Sequence, residues 1–176
     1  MVKIITADKS EHAAAIRALV WEYLQWAKAR ANEEFGVDFD IETMLEEGMQ
    51  HLDVFMPPEG RLLLGFEGDR PAGIACLKVL APGIGEIKRM YVRPDHRRRG
   101  LGRMLLSQVL REAEQIGYQR IRLDSARFTK EAHALYRTTG FNEIEAYEGS
   151  EIPQEFQEHW IFLEIDLREK QDAAAR

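Results

Sequence analysis

Residues 90–103 read MYVRPDHRRRGLGR, and this stretch is the most informative part of the chain. Its apolar start is typical of a strand end, Pro94 stops the strand, and the glycines at 100 and 102 open a helical pattern. The first amides of a helix lack internal acceptors and lie at the positive end of its dipole, so they bind phosphate groups. Arginine side chains add charge-assisted hydrogen bonds. The stretch therefore predicts an anion site between a strand and a helix.

Two common nucleotide motifs match this stretch poorly. A dinucleotide fingerprint needs a third glycine, but the chain has Leu105 at that position. A phosphate-binding loop of the P-loop type needs a lysine followed by Ser or Thr, which this stretch lacks. The residues alone also allow a simpler interpretation, in which the arginines are solvated and the glycines form a turn.

Charge is unevenly distributed along the chain. The 24 Lys and Arg residues against 30 Asp and Glu residues give a net charge of −6. Residues 88–103 carry seven basic residues against Asp95, a net of +6, which leaves −12 for the rest. An acidic total argues against a nucleic-acid binder, and one short basic segment suits a few phosphates better than a long polyanion.

Length and composition indicate an ordinary globular protein. The 176 residues, 45% of them hydrophobic, predict one domain over residues 1–167 and a frayed tail over 168–176. No apolar run approaches the roughly 20 residues that span a bilayer, and charges come too early for a secretory signal, so we expect a cytoplasmic protein without a membrane partner. Cys76 cannot form an internal disulfide and is expected to be a buried hydrophobe.

The hydrophobic periodicity predicts a mixed α/β domain. Ser10 and Thr129 are candidate caps for the first and last helices. The expected strands cover residues 2–6, 61–67, 72–80, 84–92, 121–125, 141–147 and 159–167, and the expected helices follow Ser10 and cover 41–54, 100–116 and the segment from Thr129 to Gly140. Strict alternation in the strand over 84–92 predicts Glu86, Lys88, Met90 and Val92 on one face and Ile87, Arg89 and Tyr91 on the other.

Two motifs in this order resemble those of the GNAT superfamily of N-acetyltransferases. Arg97, Gly100 and Gly102 match its Arg/Gln-x-x-Gly-x-Gly/Ala signature. A second pattern, Ala-x-x-Leu-Tyr-x-x-x-Gly-Phe, is matched by Ala132, Leu135, Tyr136, Gly140 and Phe141. The resemblance covers about residues 60–145 and implies an α/β fold with a central, mostly antiparallel sheet flanked by helices.

The resemblance implies that acetyl-CoA is the acyl donor, although propionyl- or succinyl-CoA stays open. Its pyrophosphate would lie on the amides of Arg98 through Arg103, and its pantetheine arm would pair with the backbone near Met90 and Val92. Thr129 departs from the family pattern, which often has Asn there. The candidate donor-binding residues are Met90, Tyr91, Val92, Arg97, Arg98, Arg99, Gly100, Leu101, Gly102, Arg103, Thr129 and Ala132.

Amide formation from a thioester needs a base for the amine and an acid for the departing thiolate. The resemblance assigns these roles to Glu86 and Tyr136, with direct transfer and no covalent enzyme intermediate. Each residue has a structural alternative: Glu86 as an ion-pair partner of Lys88 or Arg89, and Tyr136 as a core tyrosine.

Two segments contain no Lys or Arg: residues 31–60, with nine acids, and 142–166, with eight. By the resemblance they wall the acceptor pocket, so we expect a cationic acceptor such as a polyamine, an aminoglycoside-like amine or a basic peptide. Trp21, Tyr23, Trp26 and Trp160 are candidates for an aromatic wall, and Glu22, Trp26 and Glu158 are the candidate acceptor contacts.

The main alternative is an acyl-CoA-binding regulatory module that has lost turnover, but the presence of both Glu86 and Tyr136 argues against it. The five histidines lack ligand spacing, so no metal is expected. Relatives of this family are often dimers, which makes a homodimer an expectation by analogy only.

Overall fold

The computed structural model describes residues 1–168, and its centre is a seven-stranded sheet. The spatial order is β1-β2-β3-β4-β5-β7-β6, and every neighbouring pair is antiparallel except β4 and β5, which are parallel. The strands are β1 Val2–Thr6, β2 Arg61–Glu67, β3 Arg70–Ala81, β4 Ile84–Val92, β5 Arg120–Ala126, β6 Asn142–Ile144 and β7 Trp160–Asp166. The expected mixed, mostly antiparallel α/β fold is confirmed.

Helices cover both faces of this sheet. They are α1 Ala13–Phe35, α2 Ile41–Gln50, α3 Leu101–Ile116 and α4 Lys130–Thr139, with short 3₁₀ turns at Leu52–Phe55, Pro94–His96 and Gln154–His159. Helices α1 and α2 pack on one face, and α3 with Tyr136 of α4 packs on the other. Cys76 is fully buried beneath α1, as predicted, and burial raises the pKa of its thiol to about 12.

Of the two predicted caps, Ser10 is wrong, because His12 is the residue that precedes α1, whereas Thr129 is right in position but forms no side-chain cap. Helix α1 begins at Ala13, and the preceding turn is held by the Asp8 carboxylate, which accepts from the amides of Ser10 at 2.7 Å and Glu11 at 2.8 Å. Thr129 does precede α4, but its hydroxyl donates to the Ala126 carbonyl oxygen at 2.7 Å instead of capping the helix. In both places a side-chain hydrogen bond stabilises the turn before the helix and does not cap the amides of the helix.

A β-bulge in β4 overturns the predicted alternation. The register passes from Cys76↔Lys88 to Ile74↔Tyr91, so β4 uses one more residue than β3. Arg89 lies within this bulge and has a φ of +53°. As a result Glu86 and Lys88 share the α1 face with Tyr91, while Ile87, Met90 and Val92 lie on the α3 face.

The last strands are shorter than predicted. The expected strand over 141–147 pairs with β7 only as far as Ile144, and the chain then leaves the sheet so that Tyr147 packs over Glu86. The predicted tail over 168–176 lies outside the described residues except for Arg168, whose guanidinium donates to the Asp166 carboxylate at 2.7 Å.

Candidate active site

Strands β4 and β5 pair only at their beginnings. The parallel register joins Ile84–Glu86 to residues 120–122, and no further pair joins the two strands within residues 1–168. Strand β4 nevertheless continues to Val92 and β5 to Ala126. The sheet therefore opens into a slot between residues 87–92 and 123–126, with Glu86 at its closed end.

The side chain of Glu86 is completely buried at this closed end. Its Oε1 accepts a hydrogen bond from the Tyr147 hydroxyl at 2.9 Å, whereas Oε2 has no hydrogen-bond partner within residues 1–168. The ammonium groups of Lys78 and Lys88 each lie 3.6 Å from the carboxylate, close enough to attract it. The ion-pair alternative with Lys88 is therefore present, with Lys78 as a second partner, and the role of Glu86 as a base stays a prediction.

Lys88 connects the two sides of the slot. Its ammonium group lies 3.0 Å from the Asp124 carboxylate and 3.5 Å from that of Glu151, which also pairs with Lys78 at 2.5 Å. Burial disfavours the charged lysine, but the carboxylates of Asp124, Glu86 and Glu151 outweigh this and raise the pKa of Lys88. When all of them are ionised, the three carboxylates and two ammonium groups carry a net charge of −1.

Burial also raises the pKa of Glu86, and the Asp124 carboxylate adds to this effect. Lys88, the Tyr147 hydrogen bond and Lys78 act in the opposite direction but do not cancel it. A carboxylate with a raised pKa holds a proton more tightly than an ordinary glutamate, which suits proton transfer near neutral pH.

Tyr136 on α4 is buried with its ring 5.8 Å from that of Phe141. Its hydroxyl has no hydrogen-bond partner in the described part of the chain, residues 1–168. Burial, Tyr23 and Asp124 raise its pKa, so it is protonated at neutral pH. Burial, and to a smaller extent the Asp124 carboxylate, also raise the pKa of Tyr23.

The start of α3 has open phosphate-binding geometry. Gly100 precedes the helix with a φ of +86°, and a Cβ there would meet nothing within 4 Å. The amides of residues 101–103 precede the first intrahelical bond, from the Met104 amide to the Gly100 carbonyl oxygen at 3.0 Å. Arg98 and Arg103 are exposed, and neither has an ion-pair partner among residues 1–168. This surface can bind a pyrophosphate group.

Other arginines of residues 88–103 form contacts within the protein. Arg97 donates from Nε to the Val92 carbonyl oxygen at 2.9 Å, and its guanidinium lies over the ring of Trp26 at 5.3 Å. Arg99 pairs with Glu67, which also binds the Nδ1 atom of His96. These contacts fix the loop before α3. The expected contacts of Arg97 and Arg99 with the donor stay predictions.

The remaining predicted donor-binding residues differ in what they expose. The side chains of Tyr91 and Leu101 are in the core, which leaves only their backbone for a ligand, and Met90, Val92 and Ala132 are half-buried against the α3 side of the core. The Thr129 hydroxyl lies 2.7 Å from Ser125 Oγ and 2.9 Å from His133 Nε2. This hydroxyl and imidazole cluster was not predicted from the sequence.

The three predicted acceptor contacts lie in different surroundings. Glu22 is already bound by Arg93, with nitrogen to oxygen distances of 2.8 and 2.6 Å. Trp26 is half-buried, with its ring 5.7 Å from that of Phe128. Glu158 is 77% exposed in the turn before β7. The three contacts stay predictions, and Glu22 would have to release Arg93 before it could bind an acceptor.

An aromatic cluster joins the end of α1 to the start of β7. Phe35 stacks on His159 at 4.3 Å and lies 6.3 Å from Trp160 and 5.7 Å from Phe128. Of these residues only Trp160 was expected from the sequence. Lys78 was not expected, although a charged residue within the apolar run of β3 is a signal; Asp124 has no such signal, because β5 also carries Arg120 and Arg122. Tyr147 and Glu151 carry no such signal, because only the loop path brings them to Glu86.

Within residues 1–168, no group of three or more His, Cys, Asp or Glu side chains is arranged to hold a metal ion. The same part of the chain contains no helix whose length and apolar character would let it cross a bilayer.

Comparison with known proteins agrees with this geometry. A family model described as "Acetyltransferase (GNAT) family" matches residues 20–141. An uncharacterised N-acetyltransferase of Schizosaccharomyces pombe is 31% identical over 140 residues, which are 78% of this chain and 80% of that protein.

Solved structures share the fold at lower sequence identity. A GNAT-family acetyltransferase from Staphylococcus aureus Mu50 superposes with a TM-score of 0.71 at 19% identity, covering 95% of this chain and 99% of that one. The PaiA N-acetyltransferase from Thermoplasma acidophilum, solved in complex with coenzyme A, gives 0.69 at 17% identity, covering 94% and 99%. At these identities the likeness shows the fold alone.

Proposed function

Because this chain belongs to the acetyltransferase (GNAT) family and is an acyltransferase enzyme, we propose that it transfers the acetyl group of acetyl-CoA directly to a primary amine. The acceptor is a small molecule or a peptide, and cationic acceptors are favoured. The observation that carries the proposal is the slot between β4 and β5, which begins at the buried Glu86 and runs along β4 to the loop before α3.

Three features of the chain fit the donor. The free amides at the start of α3 and the unpaired Arg98 and Arg103 suit its pyrophosphate. The edge of β4 near Met90 and Val92 no longer pairs with β5 and offers backbone groups to an extended pantetheine arm. When bound, acetyl-CoA supplies the thioester that the amine attacks.

Two residues would handle the protons. Glu86 takes the proton of the attacking amine. Because its carboxylate is buried beneath Tyr147, the transfer needs either a shift of the loop between β6 and β7 or one intervening water. Tyr136 keeps its proton at neutral pH, since burial raises its pKa, and donates it to the departing sulfur. No covalent enzyme intermediate is needed.

Charge supports a cationic acceptor. The cluster of Glu86, Asp124, Glu151, Lys78 and Lys88 carries a net charge of −1 when ionised, and residues 31–60 and 142–166 contain no Lys or Arg. An ammonium group that approaches this end of the slot compensates that negative charge. Trp26 and Glu158 are the contacts we propose for the acceptor; Glu22 joins them only if it releases Arg93.

The first experiment is a thermal shift assay with acetyl-CoA, coenzyme A and ATP at fixed ionic strength. A ligand that binds only the folded state must raise the melting temperature. A rise limited to the two coenzyme A compounds supports the donor assignment, and no rise with either of them contradicts it.

The second experiment is an amine panel that contains a polyamine, an aminoglycoside, a basic peptide, neutral amines and acidic amines, with detection of the released thiol. Fastest turnover with a cationic amine supports the proposed acceptor class. A neutral or acidic amine that outcompetes every cationic one overturns it. Binding of acetyl-CoA without turnover of any amine would favour the alternative, a regulatory module. A cytoplasmic location and a homodimer stay predictions.

A further inference from the structure

Tyr147 lies in the loop between β6 and β7 and reaches the buried carboxylate of Glu86, 61 residues away in the chain. Its hydroxyl donates to Glu86 Oε1 at 2.9 Å. The edge of its ring packs on Phe162 at 5.6 Å, and the Arg122 guanidinium lies 5.3 Å from the ring centre. Contacts from two other strands therefore hold this side chain against Glu86.

The two oxygens of the Glu86 carboxylate differ in their surroundings. Oε1 accepts the Tyr147 hydrogen bond, whereas Oε2 is buried without a hydrogen-bond partner in residues 1–168. The Lys78 ammonium lies 3.6 Å from Oε2 and the Lys88 ammonium 3.6 Å from Oε1, and both distances are beyond ordinary hydrogen-bond length. A buried oxygen without a donor is costly, so it calls for a functional explanation.

We propose that Tyr147 is a positioning residue for acetyl transfer: it holds Oε1 of Glu86 so that Oε2 takes the proton. This inference rests on the proposed function, in which Glu86 is the base. Hydrogen bonds to charged groups are stronger than those between neutral groups, so the same hydroxyl also favours the ionised carboxylate.

Several charged groups face Glu86 and determine the direction of the effect. Lys78 from β3 and Lys88 from β4 lie next to its carboxylate, and these ammonium groups in turn pair with Asp124 from β5 and with Glu151 from the same loop as Tyr147. Loss of the Tyr147 hydroxyl leaves all of them in place but removes one influence that lowers the pKa of Glu86. Because Glu86 accepts a proton only when it is ionised, the acid limb of the kcat–pH profile must move to higher pH when the Tyr147 hydroxyl is removed. Burial and Glu86 raise the pKa of Tyr147 itself, which therefore stays a donor.

The test compares Tyr147→Phe with wild type and with a matched control. The control is Tyr118→Phe, which also removes one hydroxyl from a buried tyrosine, but there the hydroxyl donates to the Glu59 carbonyl oxygen at 2.9 Å. In Tyr147→Phe we expect the acid limb of the kcat–pH profile to move to higher pH. At pH values below the midpoint of this limb, kcat should fall about tenfold. The Kd for acetyl-CoA should stay unchanged, and Tyr118→Phe should keep the wild-type limb.

A second measurement needs no turnover. The side-chain carboxyl carbon of Glu86, assigned by its loss in Glu86→Gln, is titrated by ¹³C NMR, and its midpoint should lie higher in Tyr147→Phe than in wild type. An unmoved midpoint, or a lower kcat with an unmoved acid limb, overturns the inference. Wild-type protein that turns over no amine contradicts the proposed function instead, whatever the NMR midpoint shows.

Discussion

The Lys88 ammonium group lies 3.0 Å from the Asp124 carboxylate and joins β4 to β5 beyond the last residues at which these strands pair. Both side chains are nearly buried, with 13% and 10% of their surface exposed. A buried charge depends on its partner because little water can solvate it. This ion pair therefore connects the two strands where the sheet has opened, on the side that faces α1.

Lys88→Met should destabilise the protein, because it leaves the carboxylates of Asp124 and Glu86 without this compensating charge. We expect the free energy of unfolding to fall by about 3 kcal/mol in urea denaturation. The control is Arg137→Met, which breaks an ion pair with Glu143 whose side chains are 55% and 49% exposed. Exposed pairs contribute only about 0–1 kcal/mol. Equal losses in the two variants would contradict the importance of burial.

Tyr136→Phe should lower kcat by about 100-fold, because the departing thiolate loses its proton donor. The Kd for acetyl-CoA from titration calorimetry should stay at the wild-type value, since the ring still packs on Phe141. An unchanged kcat together with an unchanged Kd would show that Tyr136 is only a core residue. Weaker binding with unchanged kcat would assign it to donor binding.

The pH dependence of kcat should reveal Glu86. Burial raises its pKa, and only the ionised form accepts a proton, so activity should rise with pH through a midpoint above that of an ordinary glutamate. Glu86→Gln should abolish this limb and lower kcat by about 100-fold. If the same limb persists in Glu86→Gln with the same acceptor, the titrating group is the acceptor amine and not Glu86.

Gly100→Ala should weaken acetyl-CoA binding. The added Cβ occupies the open space before α3, and the φ of +86° strains any residue but glycine. Gly117→Ala is the matched control at the other end of α3, with a φ of +102° and equally open surroundings. Both variants should lose about 1 kcal/mol of stability. Only Gly100→Ala should raise the Kd for acetyl-CoA in calorimetry; a similar rise in both would make backbone strain the cause.

Local signals in the sequence were sufficient for the start of α3 and for the position of α4. Helix starts and ends are determined by the nearest few residues, so Pro94, Gly100, Gly117 and Gly140 mark them reliably. The resemblance to acetyltransferases depends on these same local patterns, and it also drew attention to Glu86 and Tyr136. Thr129 does not cap α4 with its side chain because its hydroxyl donates to the Ala126 carbonyl oxygen, and Ser10 lies in the turn closed by Asp8, two residues before the N-cap position.

What only the tertiary structure decided is how the side chains around Glu86 combine. The bulge at Arg89 moves Tyr91 to the face of Glu86, and no alternation rule reveals a bulge in a single strand. Tyr147, Asp124 and Glu151 reach Glu86 or Lys88 through strand order and loop path, over separations of 36 to 63 residues in sequence that periodicity does not encode. The sequence by itself determined most of the elements and the glycine-led start of α3, because both arise from neighbouring residues; the charge network around Glu86 arises from long-range packing, so it exists only in the folded chain.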